Sequence, residues 1–299
     1  MKKRLIVITG PTASGKSALA VELATERHTE IISADSRQVY RGIPISTAVP
    51  TLAERGGIPH HLLEFLSLES YYSAALFEEQ ALSVARRLWK EGQEDVVVCG
   101  GSMLYIDALC HGIDALPTVP EEVRGALAEE WRRNGDDWLR EEALRLDPQY
   151  CAGADMSNLK RLFHAVEITR VARQPYSSLL GGQRVARDFE IIKIVLDLPR
   201  EELFSRINRR VIAMADAGLL DEARSVSHLR HLNSLNTVGL KEMFRVIDGE
   251  WDMEFALARM AKNTRVYAKK QLTWHRRDPQ TLFLPPTEVL PFLRNQFRQ

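Results

Sequence analysis

The sequence contains little cysteine, no long apolar run and no excess of charge of either sign. Its three cysteines, Cys99, Cys110 and Cys151, are too few and too scattered for a disulfide framework or a C-x-x-C metal site. No apolar segment reaches the length that spans a bilayer, and the basic start at 1–4 leads into a short apolar stretch that does not resemble a signal peptide. We therefore expect a cytoplasmic protein without a membrane partner.

The balance of charge also restricts the kinds of partner. The 40 Lys and Arg residues equal the 40 Asp and Glu residues, so any nucleic-acid footprint must be local. The histidine pairs, His60-His61 and His228-x-x-His231, have no matched third ligand, and we do not predict a metal site there. At 299 residues with 45% hydrophobic content, the chain is long enough for one large core or two smaller ones.

The segment 4–17 gives the first indication of chemistry. An apolar stretch at 5–8 leads into Gly10-x-x-x-x-Gly15-Lys16-Ser17, and apolar residues at helical spacing follow. Strand, glycine-rich loop and helix in this order are the context of a phosphate-binding P-loop. Lys16 can charge-pair with a terminal phosphate, and the Ser17 hydroxyl can hold Mg²⁺. The predicted diphosphate- or nucleotide-binding residues are Gly10, Pro11, Thr12, Ala13, Ser14, Gly15, Lys16 and Ser17.

Strand and helix patterns alternate along most of the chain. Apolar strand patterns at 30–35, 95–99 and 190–198 are separated by helical patterns. This alternation predicts an α/β fold with a P-loop NTPase-like parallel sheet flanked by helices. The segment 116–185 shows only helical pattern. We therefore predict a catalytic core at 1–115 and 186–299 and an all-helical insertion domain at 116–185. The chain is expected to leave the insertion at Gly181-Gly182 and to return to the core.

Polar residues follow the ends of two predicted strands. Asp35 can be a magnesium ligand, a general base or the cap of the next turn, and the polar run Ser36 to Gln38 beside it favours work on a substrate. Ser102 follows a Gly-Gly turn and suits either a diphosphate contact or a helix N-cap. Both positions are expected at the ligand-binding edge of the sheet.

Two groups of cations stand out in the second half of the chain. Arg206 and Arg210 lie one helical turn apart and can clamp an anion, or face solvent opposite Glu201 and Glu202. The segment 254–277 carries seven Lys or Arg residues against one acid, with Tyr267 and Trp274 interleaved. This pattern is typical either of an RNA-facing helix or of an ordinary solvated face.

Taken together, these motifs resemble the tRNA dimethylallyltransferase (tRNA isopentenyltransferase) family, bacterial type. The resemblance covers nearly the whole chain. The matching stretches are Gly10 to Ser17, Ser33-Ala-Asp-Ser-Arg-Gln-Val-Tyr40, Ile58-Pro-His-His-Leu62, Gly100-Gly-Ser-Met-Leu-Tyr105, Pro120-Glu-Glu-Val-Arg124, Arg206 to Met214 and Asn263 to Trp274.

The resemblance implies transfer of a dimethylallyl group from dimethylallyl diphosphate to the exocyclic amine of an adenine. That adenine lies 3′ of the anticodon in tRNAs reading codons that start with U. The resemblance further implies Mg²⁺ as cofactor and the anticodon stem-loop as partner, and we expect a monomer. The implied catalytic residues are Asp35, Lys16 and Ser102, with Arg206 and Arg210 added to the diphosphate site. The implied tRNA-contacting residues are Asp35, Ser36, Arg37, Gln38, Ser102, Arg124, Leu159, Lys160, Arg161, Leu162, Phe163, Asn236, Thr237, Val238, Gly239, Leu240, Lys241, Lys269, Lys270, Gln271, Trp274 and Arg276.

The sequence departs from the family pattern at Ser46, Val49, Glu64 and His164, where Gly, Lys, Asp and Arg are usual. These departures concern tRNA contact and leave the P-loop intact. A small-molecule kinase stays open as a rival function because P-loops commonly hold ATP, although the third strand ends without an acid. An adenylate isopentenyltransferase and a non-catalytic RNA-binding module stay open as well.

Overall fold

The computed structural model describes residues 2–114, 116–181 and 185–297. The chain divides into two compact units, one formed by Met1–His111 with Ala186–Gln299 and the other by Gly112–Val185. Gly182, which belongs to the predicted exit of the insertion, lies outside the described residues.

The larger unit is built on a six-stranded parallel sheet in the order β3-β2-β4-β1-β5-β6. The strands are β1 Arg4–Thr9, β2 Ile31–Ser33, β3 His60–His61, β4 Asp95–Cys99, β5 Glu190–Leu196 and β6 Leu282–Leu284. Strand β1 is buried along its whole length because β4 and β5 pair with its two edges and helices cover its faces. The predicted α/β fold with a parallel sheet is confirmed.

Helices surround this sheet. Those of the larger unit are α1 Lys16–Glu26, α2 Pro44–Thr47, α3 Ala74–Lys90, α4 Met103–His111, α9 Arg200–Asp216, α10 Leu219–Val226, α11 Leu240–Ile247, α12 Met253–His275 and α13 Pro286–Gln296. Ser73 caps α3 by accepting a hydrogen bond from the backbone N–H of Leu76, so the helix begins directly after it, at Ala74. Gly218, at φ 98°, ends α9 and begins α10 in a conformation that favours glycine.

The order of the strands determines which loops meet. Strands β2, β4 and β1 are neighbours, so the segments that follow them lie at one edge of the sheet. These segments are the P-loop, the loop at Asp35 and the turn at Gly100-Gly101-Ser102. A Cβ on Gly100 would lie 2.1 Å from the carbonyl oxygen of Ala34, so only glycine lets the second and third of these segments approach so closely.

The smaller unit contains only helices among its described residues. They are α5 Glu121–Leu146, α6 Pro148–Gly153, α7 Leu159–Ala172 and α8 Tyr176–Leu179. Gly135, at φ 85°, interrupts the helical backbone of α5. A separate core that includes Leu127, Leu139 and Leu162 holds these helices together.

Candidate active site

A cavity of about 350 Å³ lies at the carboxyl ends of β1, β2 and β4 in the larger unit. The P-loop contributes Thr12, Lys16 and Ser17 to its wall, and the loop after β2 contributes Asp35 to Gln38. Gly100 to Ser102, the inner faces of α9 and α12, and the segment 236–241 complete the lining. The structure therefore brings the candidate phosphate site and the candidate base-contacting residues to one cavity.

The P-loop leads directly into α1. Gly15 precedes the helix at φ 94°, and Gly10 has φ 132° and approaches β5 so closely that a Cβ on it would lie 2.9 Å from Leu196 N. These two conformations explain why the loop has glycine at both positions. Lys16 Nζ donates a hydrogen bond to the carbonyl oxygen of Pro11 at 2.7 Å across the loop.

Lys16 lies in a strongly perturbing environment. Burial lowers the pKa of Lys16 to about 8, and Arg210 lowers it as well, whereas Asp35 acts in the opposite direction. Cys99, at the end of β4, also lines the cavity, and burial raises the pKa of its thiol to about 11. A bound anion would raise the pKa of Lys16 again, because a nearby negative charge stabilises the charged form of the lysine.

The Asp35 carboxylate faces the cavity from the turn after β2. Its Oδ1 accepts hydrogen bonds from the backbone N–H of Arg37 at 2.9 Å and of Gln38 at 3.4 Å. The capping role considered for Asp35 is thus present. These bonds occupy one carboxylate oxygen, and the side chain also lies within electrostatic reach of Lys16 and Arg210.

The three residues after Asp35 form part of the cavity wall and hold it in place. The backbone N–H of Ser36 donates to Ser102 Oγ at 2.7 Å. Arg37 Nη1 donates to the carbonyl oxygens of Asn233 and Ser234, and Gln38 Nε2 donates to those of Thr47 and Ala48, both at 3.0 Å. Ser102 Oγ therefore bonds to the loop at Asp35, and not to its own helix as an N-cap would.

Arg206 and Arg210 take different positions on α9. Arg210 lines the cavity, and burial lowers the pKa of its guanidinium while Asp35 opposes that shift. Arg206 donates to Glu202 Oε1 at 2.8 Å, which corresponds to the solvated arrangement, yet its Nη1 lies 3.6 Å from the position of a Cβ on Gly15. Both arginines line a second, more open cavity of about 710 Å³ on the outer side of the P-loop.

The segment 236–241 presents some side chains and buries others. Asn236, Thr237, Val238 and Lys241 line the first cavity. Leu240 is fully buried in the core, and Gly239 donates its N–H to Glu242 Oε2 at 2.7 Å at the start of α11. The side chain of Leu240 therefore packs inside the protein and supports its neighbours.

The basic segment 254–277 is one helix only as far as His275. Five of its seven cations lie in α12, and Arg276 and Arg277 follow the end of that helix. Lys269, Lys270 and Arg276 are exposed, whereas Trp274 Nε1 donates to Asp107 Oδ2 at 2.6 Å. Gln271 is only 2% exposed, so this predicted tRNA-contacting residue belongs to the interior face of α12.

The predicted contact residues of the smaller unit also divide by exposure. Lys160 and Arg161 are exposed at the start of α7, after Leu159, and Leu162 is fully buried. The ring of Phe163 lies 5.6 Å from that of Trp131. Arg124 donates two hydrogen bonds to Glu167, from Nε at 2.9 Å and from Nη2 at 3.1 Å.

The positions that depart from the family pattern have defined neighbours. Ser46 donates its backbone N–H to Glu222 Oε1 at 2.8 Å, and Val49 lines the outer cavity. Glu64 Oε2 accepts from Arg55 Nη2 at 3.2 Å. His164 Nδ1 lies 2.8 Å from Glu167 Oε1, the acid that also pairs with Arg124.

Three residues near the site are not assigned to it from the sequence, although His60 and Tyr267 lie in stretches that the sequence singles out. His60 and Tyr267 line the first cavity, and burial raises the pKa of Tyr267 to about 12. His275 Nε2 lies 3.2 Å from Thr9 Oγ1, and burial lowers the pKa of this histidine to about 4. One signal for the interior face of α12 was available, since Ala268, Gln271 and His275 recur at helical spacing between exposed cations.

Two features are absent from the described part of the chain. Within residues 2–114, 116–181 and 185–297, no three His, Cys, Asp or Glu side chains are grouped as ligands for a metal ion. Over the same ranges, no helix has the length and apolar character needed to cross a membrane.

The comparisons with known proteins agree with one another. The profile of the family described as IPP transferase matches residues 38–278. The tRNA dimethylallyltransferase 1 of Bacteroides thetaiotaomicron is 46% identical over 98% of this chain and 96% of that protein. The crystal structure of the full-length tRNA isopentenylpyrophosphate transferase from Bacillus halodurans superposes with a TM-score of 0.72, at 31% identity over 99% of this chain and 97% of that one. A eukaryotic dimethylallyltransferase, described as acting on tRNA, superposes with a TM-score of 0.80. It is 25% identical, and the match covers 96% of this chain and 75% of that one.

Proposed function

The chain belongs to the IPP transferase family, and on that premise we propose that it transfers a dimethylallyl group from dimethylallyl diphosphate to tRNA. The acceptor is the exocyclic amine of the adenine 3′-adjacent to the anticodon in tRNAs reading codons that start with U, and diphosphate is released. The relatives named above carry a tRNA prenyl-transfer activity in their names, and the motifs quoted above match this sequence residue by residue.

The observation that carries the proposal is the single cavity shared by the P-loop and the Asp35 loop. Lys16 and Asp35 line the same 350 Å³ space and are in electrostatic contact there. A diphosphate bound at the P-loop therefore leaves its prenyl group between the phosphate site and the carboxylate. A purine amine that enters beside Asp35 meets both reactants of an alkyl transfer.

The chemistry needs help at both ends of the reacting system. In the transfer, a C–N bond forms to the adenine amine, the C–O bond to diphosphate breaks, and the amine loses one proton. The P-loop amides, Lys16 and Arg210 stabilise the charge that develops on the leaving diphosphate. Asp35 Oδ1 is engaged with two backbone N–H groups, so Oδ2 is the oxygen that we assign to accept the amine proton.

The oxygen donors at the cavity fit a hard divalent cation. Ser17 lies in the first turn of α1 and lines the cavity, and its hydroxyl with phosphate oxygens and water suits the octahedral oxygen coordination of Mg²⁺. When bound, Mg²⁺ supplies positive charge to the diphosphate. We propose that Ser17 is its ligand in this chain.

The adenine must leave the stacked anticodon loop in order to reach the cavity. We propose that Ser36, Arg37, Gln38 and the cavity-lining part of 236–241 receive it, because these residues form the wall next to Asp35. Exposed Lys269, Lys270 and Arg276 are proposed contacts for the phosphate backbone.

In the insertion, we propose a tRNA-binding role for the exposed cations Lys160 and Arg161, and for Arg124 held by Glu167. The domain boundaries proposed from the sequence stay at 116–185 for this tRNA-binding insertion. We propose, as expected from the sequence, that the enzyme acts in the cytoplasm as a monomer.

One experiment tests the reaction class. Undermodified tRNA is incubated with the enzyme, Mg²⁺ and dimethylallyl diphosphate, and the nucleosides are then analysed by mass. We expect the mass of one dimethylallyl group on the adenosine beside the anticodon, and far less of this product from the Asp35→Asn variant in the same time. Modification of free AMP in preference to tRNA, or ATP hydrolysis that depends on Lys16 and a small acceptor, would contradict the proposal.

A further inference from the structure

Gln271 connects two backbone segments of the active site. Its Oε1 accepts a hydrogen bond from the N–H of Thr12 in the P-loop at 3.1 Å. Its Nε2 donates to the carbonyl oxygen of Gly101 at 2.8 Å, in the turn that precedes Ser102. One side-chain amide on α12 therefore bridges the segments that follow β1 and β4.

This bridge is buried and closely fitted. Gln271 is 2% exposed, and a Cβ on Gly101 would lie 2.6 Å from Nε2, so the glycine is what allows the amide to approach the turn. One helical turn further on, His275 lies 3.2 Å from Thr9 Oγ1 at the end of β1. The interior face of α12 thus contacts the P-loop at Thr12 and the end of β1 at Thr9, while Lys269 and Lys270, which precede Gln271, are exposed.

The hydrogen bond from the P-loop to Gln271 matters because the P-loop binds its ligand through backbone groups. The P-loop binds an anion by pointing several N–H groups at it, and the binding energy is largest when these groups need no rearrangement. The N–H of Thr12 is directed to Gln271, and this fixes the start of the loop relative to the Gly101–Ser102 turn. Oε1 and Nε2 each make one bond inside the protein, and although Gln271 is among the residues that line the first cavity, only 2% of it is exposed, which leaves little of the amide accessible to an RNA base.

We propose that Gln271 is a positioning residue for the diphosphate site, which sets the separation between the P-loop and the Ser102 turn, and not a residue that contacts tRNA. The inference rests on the proposed function in one respect, because it takes the bound anion to be the diphosphate of a prenyl donor. It goes beyond that function because it assigns the two faces of α12 to different substrates. The inner face serves the prenyl diphosphate, and the outer face serves tRNA.

Two substitutions separate the two bonds. Gln271→Met keeps the length of the side chain and removes both hydrogen bonds. Gln271→Glu keeps an acceptor for Thr12 N–H, but an ionised carboxylate cannot donate to Gly101 O. The matched control is Asp107→Ala, which removes the bond from Trp274 Nε1 on the same helix and leaves the P-loop contacts in place.

The measurements are calorimetric titration with inorganic diphosphate and Mg²⁺, steady-state kinetics with dimethylallyl diphosphate and tRNA, and a tRNA-binding assay. We expect Gln271→Met to raise the diphosphate Kd and the KM for dimethylallyl diphosphate by about tenfold or more, with tRNA affinity unchanged. Gln271→Glu should bind diphosphate more weakly than wild type at neutral pH. Its diphosphate affinity should recover towards that of wild type as the pH falls, because the protonated carboxyl group can again donate a hydrogen bond. Asp107→Ala should retain wild-type diphosphate affinity even if its Tm falls as far as that of Gln271→Met.

Unchanged diphosphate affinity in Gln271→Met, an equal loss in Asp107→Ala, or a loss confined to tRNA binding would overturn the inference. The titration with inorganic diphosphate needs no prenyl transfer. A failure of the proposed reaction with wild-type enzyme is therefore distinguishable from a failure of Gln271 to affect the anion site.

Discussion

Ser102 is hydrogen-bonded on both sides of Asp35. Its backbone N–H donates to the carbonyl oxygen of Ala34 at 3.1 Å, and its hydroxyl accepts from the N–H of Ser36 at 2.7 Å. The residues immediately before and after Asp35 are thus bound to one serine on the neighbouring segment. Ser102 is 7% exposed, so these bonds lie largely away from water. The position of the Asp35 carboxylate consequently depends on the turn after β4.

Ser102→Ala should therefore reduce turnover through Asp35. The variant leaves the partly buried N–H of Ser36 without its acceptor, at a cost of about 0.5–1.5 kcal/mol in the free energy of unfolding. We expect kcat to fall about tenfold to a hundredfold, because a small displacement of a catalytic group has effects of that size. Ser102→Thr retains the hydroxyl and should recover much of the rate. A full rate for Ser102→Ala in single-turnover assays would show that the bond does not position Asp35.

Asp35→Asn tests the base itself. The amide oxygen of asparagine can still accept from the N–H groups of Arg37 and Gln38, so the turn should persist while the proton acceptor is lost. We expect turnover to fall by about a hundredfold or more. The Kd for tRNA and the Tm should stay near those of the wild type. Asp35→Ala is the comparison, since it should lose both the turn contacts and the rate, and near-normal turnover of Asp35→Asn would exclude Asp35 as the base.

The sequence predicts the parts of this protein that depend on local pattern. Apolar runs locate β1, β4 and β5, and the P-loop has the conformation that its two glycines indicate. Strand β3 and helix α2 are not predicted, because a two-residue edge strand and a four-residue helix contain too few residues to show a period. Helices α4 and α13 also have too weak a pattern of their own to be predicted.

The limits at the site have a different cause. Gln271 lies in a stretch that the family resemblance assigns to tRNA contact, whereas only the packing of α12 reveals that it faces the P-loop. Leu162 and Leu240 lie within stretches that resemble tRNA-contacting segments, yet both side chains are fully buried. A motif identifies a segment, and the helix phase that separates its two faces depends on contacts with residues far away in the chain.

Lys269→Ala combined with Lys270→Ala tests the outer face of α12. Both lysines are exposed, and cations that neutralise phosphates release counterions when tRNA binds. We expect the slope of log affinity against log salt to decrease by up to about two units, with diphosphate affinity unchanged. Arg86→Ala with Lys90→Ala removes two exposed cations from α3 and should leave the slope as in wild type. Equal slopes for all three proteins would return α12 to the class of ordinary solvated helices.

The lowered pKa of Lys16 gives the diphosphate site a pH dependence with a definite sign. In the free enzyme, burial lowers the pKa of Lys16 to about 8, so above that pH the side chain is mostly the neutral amine. A diphosphate binds the protonated form, so at higher pH its binding must also drive the uptake of a proton. Affinity is therefore expected to be constant below about pH 8 and to fall above it, by up to about tenfold per pH unit. Titration of Cys99 and Tyr267 in the same cavity lies at higher pH, because burial raises their pKa values to about 11 and about 12.

The measurement is the Kd for dimethylallyl diphosphate with Mg²⁺ from pH 7 to the alkaline limit of stability, together with proton uptake from calorimetry in buffers of different ionisation enthalpy. Wild-type enzyme should take up close to one proton on binding above pH 8, since the bound anion raises the pKa of Lys16. Lys16→Arg replaces the amine by a guanidinium that stays protonated throughout this range, so its affinity, even if weaker, should lack the alkaline step. The same step in Lys16→Arg, or no proton uptake in the wild type, would assign the pH dependence to another group and would remove the depressed lysine from the account of anion binding.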